Sequence, residues 1–374
     1  MPQLADIFRK YGPLYLKKFG DRIIHDHRRA IRDIVLCRTE AFGGHVDKCF
    51  KCGHEHYFYH SCCNRSCPAC SGSDTQAWIE KREKELLPVN YFHVVFTIPE
   101  ELRYIIRKNP RKLLDILMKA AAYSIMKLAA DPHYVGGKIG FISVLHTWTR
   151  TMVYHPHVHY LVPGGALSPD GTEWLPSRKK YLVPVHALSK IFRARFMKLI
   201  AKIVPIEQLP GSILKKRWVV YSKPTLNGTA KVLNYLGRYV HRIAISNYRI
   251  LSENNGTITF KYTNSKTFRT KTMTLNAMEF IRRFLQHVLP KGFHKVRYYG
   301  LMHPSYRKDL MRVKWVLKCK FKGQYDVEDS IFKKRGTRLC PICKEGYLIE
   351  IRKIPRNFHL LNERAPPWQI LCLN

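Results

Sequence analysis

The spacing of apolar and polar positions changes several times along the chain. Leu4, Ile7, Phe8 and Tyr11, then Ile23, Ile24, Ile31 and Ile34, recur at helical intervals and predict two or three short basic helices over residues 1–44. Residues 45–72 lose that period, and a polar helical stretch follows over 74–87. Residues 91–98, YFHVVFTI, are β-rich and bounded by Pro88 and Pro99, so they predict the first strand of a new domain. Residues 99–130 are helical in pattern, and 139–148 and 157–162 predict neighbouring strands joined through 149–156. Further on come turns at 163–165 and 168–171, a basic amphipathic helix over 186–203, and a strand at 217–221. A helix over about 230–241, a hairpin over 249–274 turning at Asn254-Asn255-Gly256, and a helix over 276–288 complete this part. From 305 the chain is basic and ends in a small Cys motif. The predicted organisation is a helical segment (1–44), a module of different character (45–88), a domain of mixed strands and helices (89–304) and a basic C-terminal region (305–374).

Composition narrows the function. Among 374 residues, 65 Lys and Arg face 27 Asp and Glu, a formal net charge of +38. Such a surplus repels itself unless a polyanion neutralises it, which argues for nucleic acid as partner and against small-molecule metabolism. With 45% hydrophobic residues the chain can still build cores. No apolar run approaches the ~20 residues of a membrane span, and the N-terminus lacks a signal-peptide core. Seven of the 11 cysteines fall between Cys37 and Cys70, a pattern of metal binding in a reducing compartment, here the cytoplasm.

Three constellations carry chemistry. Cys49-x-x-Cys52 and Cys67-x-x-Cys70, with 14 residues between the pairs, predict one tetrahedral zinc held by all four thiolates. Cys37, His45 and Cys62 are candidates for a second ion or for ordinary packing. In His155-Pro-His157-Val-His159, strand alternation puts His157 and His159 on one face, a compact site for a divalent ion. His146, 11 residues before His157, is the first choice as third ligand, and His155 the second. Tyr235 and Tyr239 stand one helical turn apart, either a packed aromatic stripe or a pair of nucleophiles. A metal-polarised phosphodiester with a tyrosine nucleophile meets the needs of DNA strand transfer without ATP. Arg238 and Arg242 are candidates for phosphate contacts or for a solvated helix face.

These residues resemble the rolling-circle transposases of bacterial insertion sequences, insertion-sequence family ninety-one. That family belongs to the His-hydrophobic-His, two-tyrosine endonuclease superfamily. The resemblance runs over about residues 4–350 through Cys37, Gly43-Gly44-His45, Cys49-x-x-Cys52-Gly53-His54, Cys67-Pro68-x-Cys70 and the YFHVVFT run at 91–97. It continues through His146-Thr147-Trp148, His155 to His159, NYLGRYVHRIAIS at 234–246, Tyr298-Tyr299-Gly300 and Cys340-Pro341-x-Cys343. It implies an α+β fold, an antiparallel sheet flanked by helices, with an N-terminal helical and zinc-binding module. It also implies His157 and His159 as the catalytic metal pair with Mg²⁺ or Mn²⁺, Tyr235 and Tyr239 as nucleophiles, structural Zn²⁺ on the cysteines, and single-stranded DNA as substrate. The C-terminal pair Cys340 and Cys343 departs from a complete four-cysteine site, and the spacing to Cys319 or Cys372 supports neither as partner. Two other readings stay open: a rolling-circle replication initiator or relaxase, and a non-enzymatic zinc-finger DNA-binding protein. No G-x-x-x-x-G-K-[ST] loop is present, so no ATPase motif accompanies the chemistry.

Overall fold

The computed structural model describes residues 1–70, 79, 82, 85–225, 237, 240, 242–264, 267–320, 338–358 and 361. Tyr235 and Tyr239 lie outside the described residues, as does most of the polar stretch at 74–87. The fold is α+β, as the resemblance implies. The strands among the described residues are, in chain order, β1 (Gly44–Cys49), β2 (Glu55–Tyr59), β3 (Tyr91–Thr97), β4 (Gly140–Trp148), β5 (Tyr154–Pro163), β6 (Gly165–Leu167) and β7 (Trp174–Pro176). They continue with β8 (Val219–Pro224), β9 (Ile250–Asn254), β10 (Thr257–Thr263), β11 (Thr270–Asn276), β12 (Val296–Gly300) and β13 (Leu348–Ile354). No helix among the described residues is long and apolar enough to cross a membrane.

The chain forms two compact units, each assembled from separated stretches: Met1–Gly72, Ile245–Val288 and Asp326–Asn374 in the first, Ser73–Ala244 and Leu289–Tyr325 in the second. This regroups the four consecutive segments expected from the sequence, because long-range strand pairing and helix packing cut across their boundaries.

In the first unit, helices Leu4–Phe19 and His25–Val35 bury Leu4, Ile7, Phe8, Tyr11, Ile31 and Ile34 of the predicted apolar positions, whereas Ile23 and Ile24 fall between the helices and Ile24 is exposed. Phe8 meets Phe284 edge-on at 5.4 Å, which joins the first helix to Ala277–Leu285. Asn276 caps that later helix by accepting a hydrogen bond from the Met278 N–H at 2.9 Å. The expected hairpin is a three-stranded sheet ordered β11-β10-β9. Its turn has φ of 45° at Asn255 and 80° at Gly256, the positive pair that a tight two-residue hairpin requires. A second three-stranded sheet, ordered β13-β1-β2, carries the cysteines at its ends.

In the second unit an antiparallel sheet runs in the order β12-β4-β5-β3-β8. One face is apolar: Phe92, Val94 and Phe96 of β3, Phe141 and Leu145 of β4, and Val158, Tyr160 and Val162 of β5 pack against helices Pro110–Ala129 and Val185–Ile200. At its centre Phe192 lies 5.0 Å from Phe96 and 5.1 Å from Trp218, ring edge to ring face. Phe192 is fully buried, so Phe192→Ala is expected to cost about 3–5 kcal/mol, read by urea denaturation of the variant beside the parent. At one end of the opposite face Ile142 and Leu161 pack beneath Leu310, Val313 and Leu317 of helix Arg307–Lys320. What the sequence showed as a basic tail thus begins with a core-forming helix. Strand β12 joins the sheet beside β4, and β5 begins at Tyr154, three residues before the expected start.

Candidate functional site

The histidines follow from strand alternation. Apolar side chains at Val158 and Tyr160 claim the core face, so His157 and His159 point to the other. The β4–β5 register sets His146 directly across from His157, which puts all three imidazoles on one face. Ring centres are 4.9 Å apart for His157 and His159, 4.7 Å for His146 and His159, and 5.6 Å for His146 and His157. One ring nitrogen from each lies within 4.8 Å of the others. His146 is buried and stacks on Trp148 at 4.7 Å, which fixes its ring plane.

A hydrogen bond sets the tautomer of His157. The His155 carbonyl accepts from His157 Nδ1 at 2.7 Å, so Nδ1 carries the proton and Nε2 keeps its lone pair. His159 Nδ1 shares a hydrogen bond of 2.8 Å with His93 Nε2. Burial holds His157 and His159 below the usual histidine range, and for His159 the nearby His146, His157, His93 and Arg242 add to the effect. Three imidazoles on one face, each able to present a nitrogen lone pair when neutral, are a donor set for a divalent cation. His155 is outside the cluster: the Arg103 guanidinium donates to its Nδ1 at 2.9 Å. The geometry therefore gathers His146 rather than His155 with the pair. His93 and Arg103 were not singled out from the sequence, although His93 shares its strand's phase with Val95 and Thr97, which face β5 at His159 and His157.

Arg242, three residues past Tyr239, anchors beside this cluster. Lys295 Nζ donates to its carbonyl at 3.5 Å, and the Lys295 carbonyl accepts from the Leu145 N–H at 2.8 Å, next to His146.

Among the described residues the cysteines form two clusters, where the sequence predicts one site on Cys49, Cys52, Cys67 and Cys70. Cys67 and Cys70 gather with Cys37 and Cys62, and Cys49 and Cys52 gather with Cys340 and Cys343. The hairpin explains the correction. Strand β2 returns antiparallel to β1 with Tyr59 opposite Gly44, so the chain reaches Cys62 at the far end of β1 from Cys49, about 17 Å away along the strand. Cys37 precedes β1 at that same end. Among the described residues His45 is in neither cysteine cluster; it stacks on Phe58 at 5.1 Å and faces Asp47 at 3.6 Å. In the first cluster Cys70 Sγ is 3.5 Å from both Cys37 and Cys62 Sγ, far beyond a disulfide and close to the about 3.8 Å edge of a zinc–thiolate tetrahedron. Hydrogen bonding among the four thiols lowers Cys37 and raises Cys62 and Cys67.

Residues 7–98 match the family described as "Transposase zinc-binding domain", and residues 140–309 match the one described as "Putative transposase". The chain is 38% identical to "Putative transposase y4qJ" of Sinorhizobium fredii over 94% of its own length and 95% of that protein's. It is 31% identical to "Transposase for insertion sequence element IS801" of Pseudomonas savastanoi pv. phaseolicola, over 73% of its own length and 69% of that protein's. No solved structure matches. The two matched families, with 38% identity to one transposase over 94% of the chain and 31% to the other over 73%, make the chain a member of the IS91 family of insertion-sequence transposases.

Proposed function

We propose that this transposase cleaves and rejoins single-stranded DNA at transposon ends through a 5′-phosphotyrosine, in rolling-circle transposition on the bacterial nucleoid. Tyr235 and Tyr239 are the nucleophiles, and His146, His157 and His159 hold Mg²⁺ or Mn²⁺. The observation that carries the reading is the cluster of three imidazoles on the sheet face opposite the core. A divalent ion held there supplies Lewis-acid polarisation of the scissile phosphate, and with it several kcal/mol of transition-state stabilisation.

The chain's own residues do the rest. His157 presents Nε2 because the His155 carbonyl holds its other proton. One tyrosine loses its proton and attacks phosphorus; the Oη–P bond forms, the bond to the 3′ oxygen breaks, and that oxygen leaves as a 3′-hydroxyl after taking up a proton. The second tyrosine can accept the next strand, so bond energy is conserved without ATP. The surplus of basic residues binds the DNA backbone, an affinity that falls steeply with salt.

The test incubates the purified chain with labelled single strands of its element's ends, with Mn²⁺ or Mg²⁺ and without either. A denaturation-resistant protein–DNA adduct is expected only on the single strand and only with the ion. Absence of adduct under all conditions would return the chain to a zinc-bearing DNA-binding protein. Three nitrogen donors, with no carboxylate in the cluster among the described residues, suit Mn²⁺ better than the oxygen-seeking Mg²⁺, so half-maximal cleavage is expected at several-fold lower Mn²⁺ than Mg²⁺. His146→Ala is expected to raise the ion concentration required far more than His155→Ala, measured by the same titration.

A further inference from the structure

We infer that the chain binds a second zinc ion, held jointly by Cys49 and Cys52 of the N-terminal module and by Cys340 and Cys343, 288 residues further along from Cys52 to Cys340. The matched zinc-binding region ends at residue 98, so it contains only half of this ligand set.

The geometry is that of a closed thiolate site. Cys49 Sγ lies 3.7 Å from Cys343 Sγ, and Cys52 Sγ 3.7 Å from Cys340 Sγ. A tetrahedron of sulfurs at ~2.3 Å from zinc has an edge of about 3.8 Å, whereas a disulfide would need about 2 Å. The two halves are built alike. In each, the residue after the second cysteine has positive φ, 73° at Gly53 and 59° at Lys344. In each, backbone N–H groups turn toward sulfur: Lys51 and Cys52 to Cys49 Sγ at 3.4 and 3.5 Å, and Gly346 to Cys343 Sγ at 3.3 Å. Such N–H groups stabilise a thiolate, the form that ligates.

The backbone brings the halves together before any ion is considered. Strand β13 pairs with β1 so that Leu348 lies opposite Cys49, which sets the turn at 340–346 over the Cys49 end of the hairpin. The Phe50 N–H donates to the Tyr347 carbonyl at 3.3 Å, and the two rings stack at 6.2 Å. Gly346 has no room for a side chain: a Cβ there would run into Cys49 Sγ. Four soft thiolates with no open position define a structural zinc site, one that folds its surroundings and clasps the C-terminal segment to the N-terminal module.

The test is metal content of the purified full chain. Two zinc ions per chain are expected, falling to one in Cys340→Ser/Cys343→Ser and to one in Cys62→Ser/Cys67→Ser. Cys63→Ser should keep both, because Cys63 is exposed and outside either cluster. A second measurement needs no substitution: with zinc bound, Cys340 and Cys343 should resist N-ethylmaleimide while Cys63 reacts at once, and a chelator should open them to the reagent. One zinc or iron in the parent chain, two zincs retained without Cys340 and Cys343, or alkylation of those two as fast as Cys63 would each overturn the inference.

Discussion

Replacing Tyr235 and Tyr239 together by Phe is expected to remove all covalent protein–DNA adduct, a loss to the detection limit. Each hydroxyl is the only atom its side chain offers for attack, and phenylalanine keeps shape while deleting it. On the helix that the sequence predicts for them, a rise of about 6 Å would let the two reach one bound phosphate in turn but not together. A single replacement is therefore expected to leave one cleavage detectable while transposition falls, since the second acceptor is gone. Tyrosine's hydroxyl has a pKa near ~10, so unaided it is a weak nucleophile at neutral pH. Arg242 is the first described cation after them in the sequence, and its backbone is tied by Lys295 to the strand that carries His146. The measurement is adduct formation on a labelled single-stranded end by each variant. A double variant that still attaches to DNA would reduce these tyrosines to packing residues.

His157→Ala or His159→Ala is expected to abolish cleavage while leaving DNA binding nearly unchanged. Removing one of three imidazoles leaves two donors, too few to hold the ion in a fixed place. The effect falls on the transition state, where Lewis-acid catalysis is worth several kcal/mol, hence at least about a thousandfold in rate. Binding depends on the net charge of +38 spread over the chain, which one neutral histidine does not alter. The expected pattern is a binding isotherm within error of the parent beside a cleavage rate below detection. Metal-dependent nicking retained by both variants would move the catalytic centre elsewhere. Both residues sit on β5, whose opposite face is fully packed, so truncating side chains on the histidine face leaves the core contacts of Val158 and Tyr160 in place. A folding defect is therefore not expected to mimic the catalytic one, and thermal denaturation of each variant checks this.

How much of this was legible beforehand depends on the range of the interaction. Features decided within a few residues were readable. The period of two puts His157 and His159 on one face wherever that strand lies, and Asn255-Gly256 demands a tight turn in any context. Apolar spacing in residues 4–34 gave the buried stripe of the first two helices, and a C-x-x-C turn aims two sulfurs at one point whatever the partner. The charge ratio pointed to nucleic acid without any fold at all.

Only the tertiary structure decided which distant groups meet. Two C-x-x-C pairs close in sequence were expected to share an ion, yet a five-residue hairpin strand carries them to opposite ends, and a strand from the far end of the chain supplies Cys340 and Cys343 instead. His146 joined the histidines, and His155 did not, because the β4–β5 register sets one across from His157 while Arg103 engages the other. The pairing of β12 with β4 and of β13 with β1 likewise divided the chain into two interleaved units. Side-chain alternation and turn geometry are local sterics, written in neighbouring residues. Strand pairing is set by burial and backbone hydrogen bonding between segments hundreds of residues apart, and no local pattern encodes the partner.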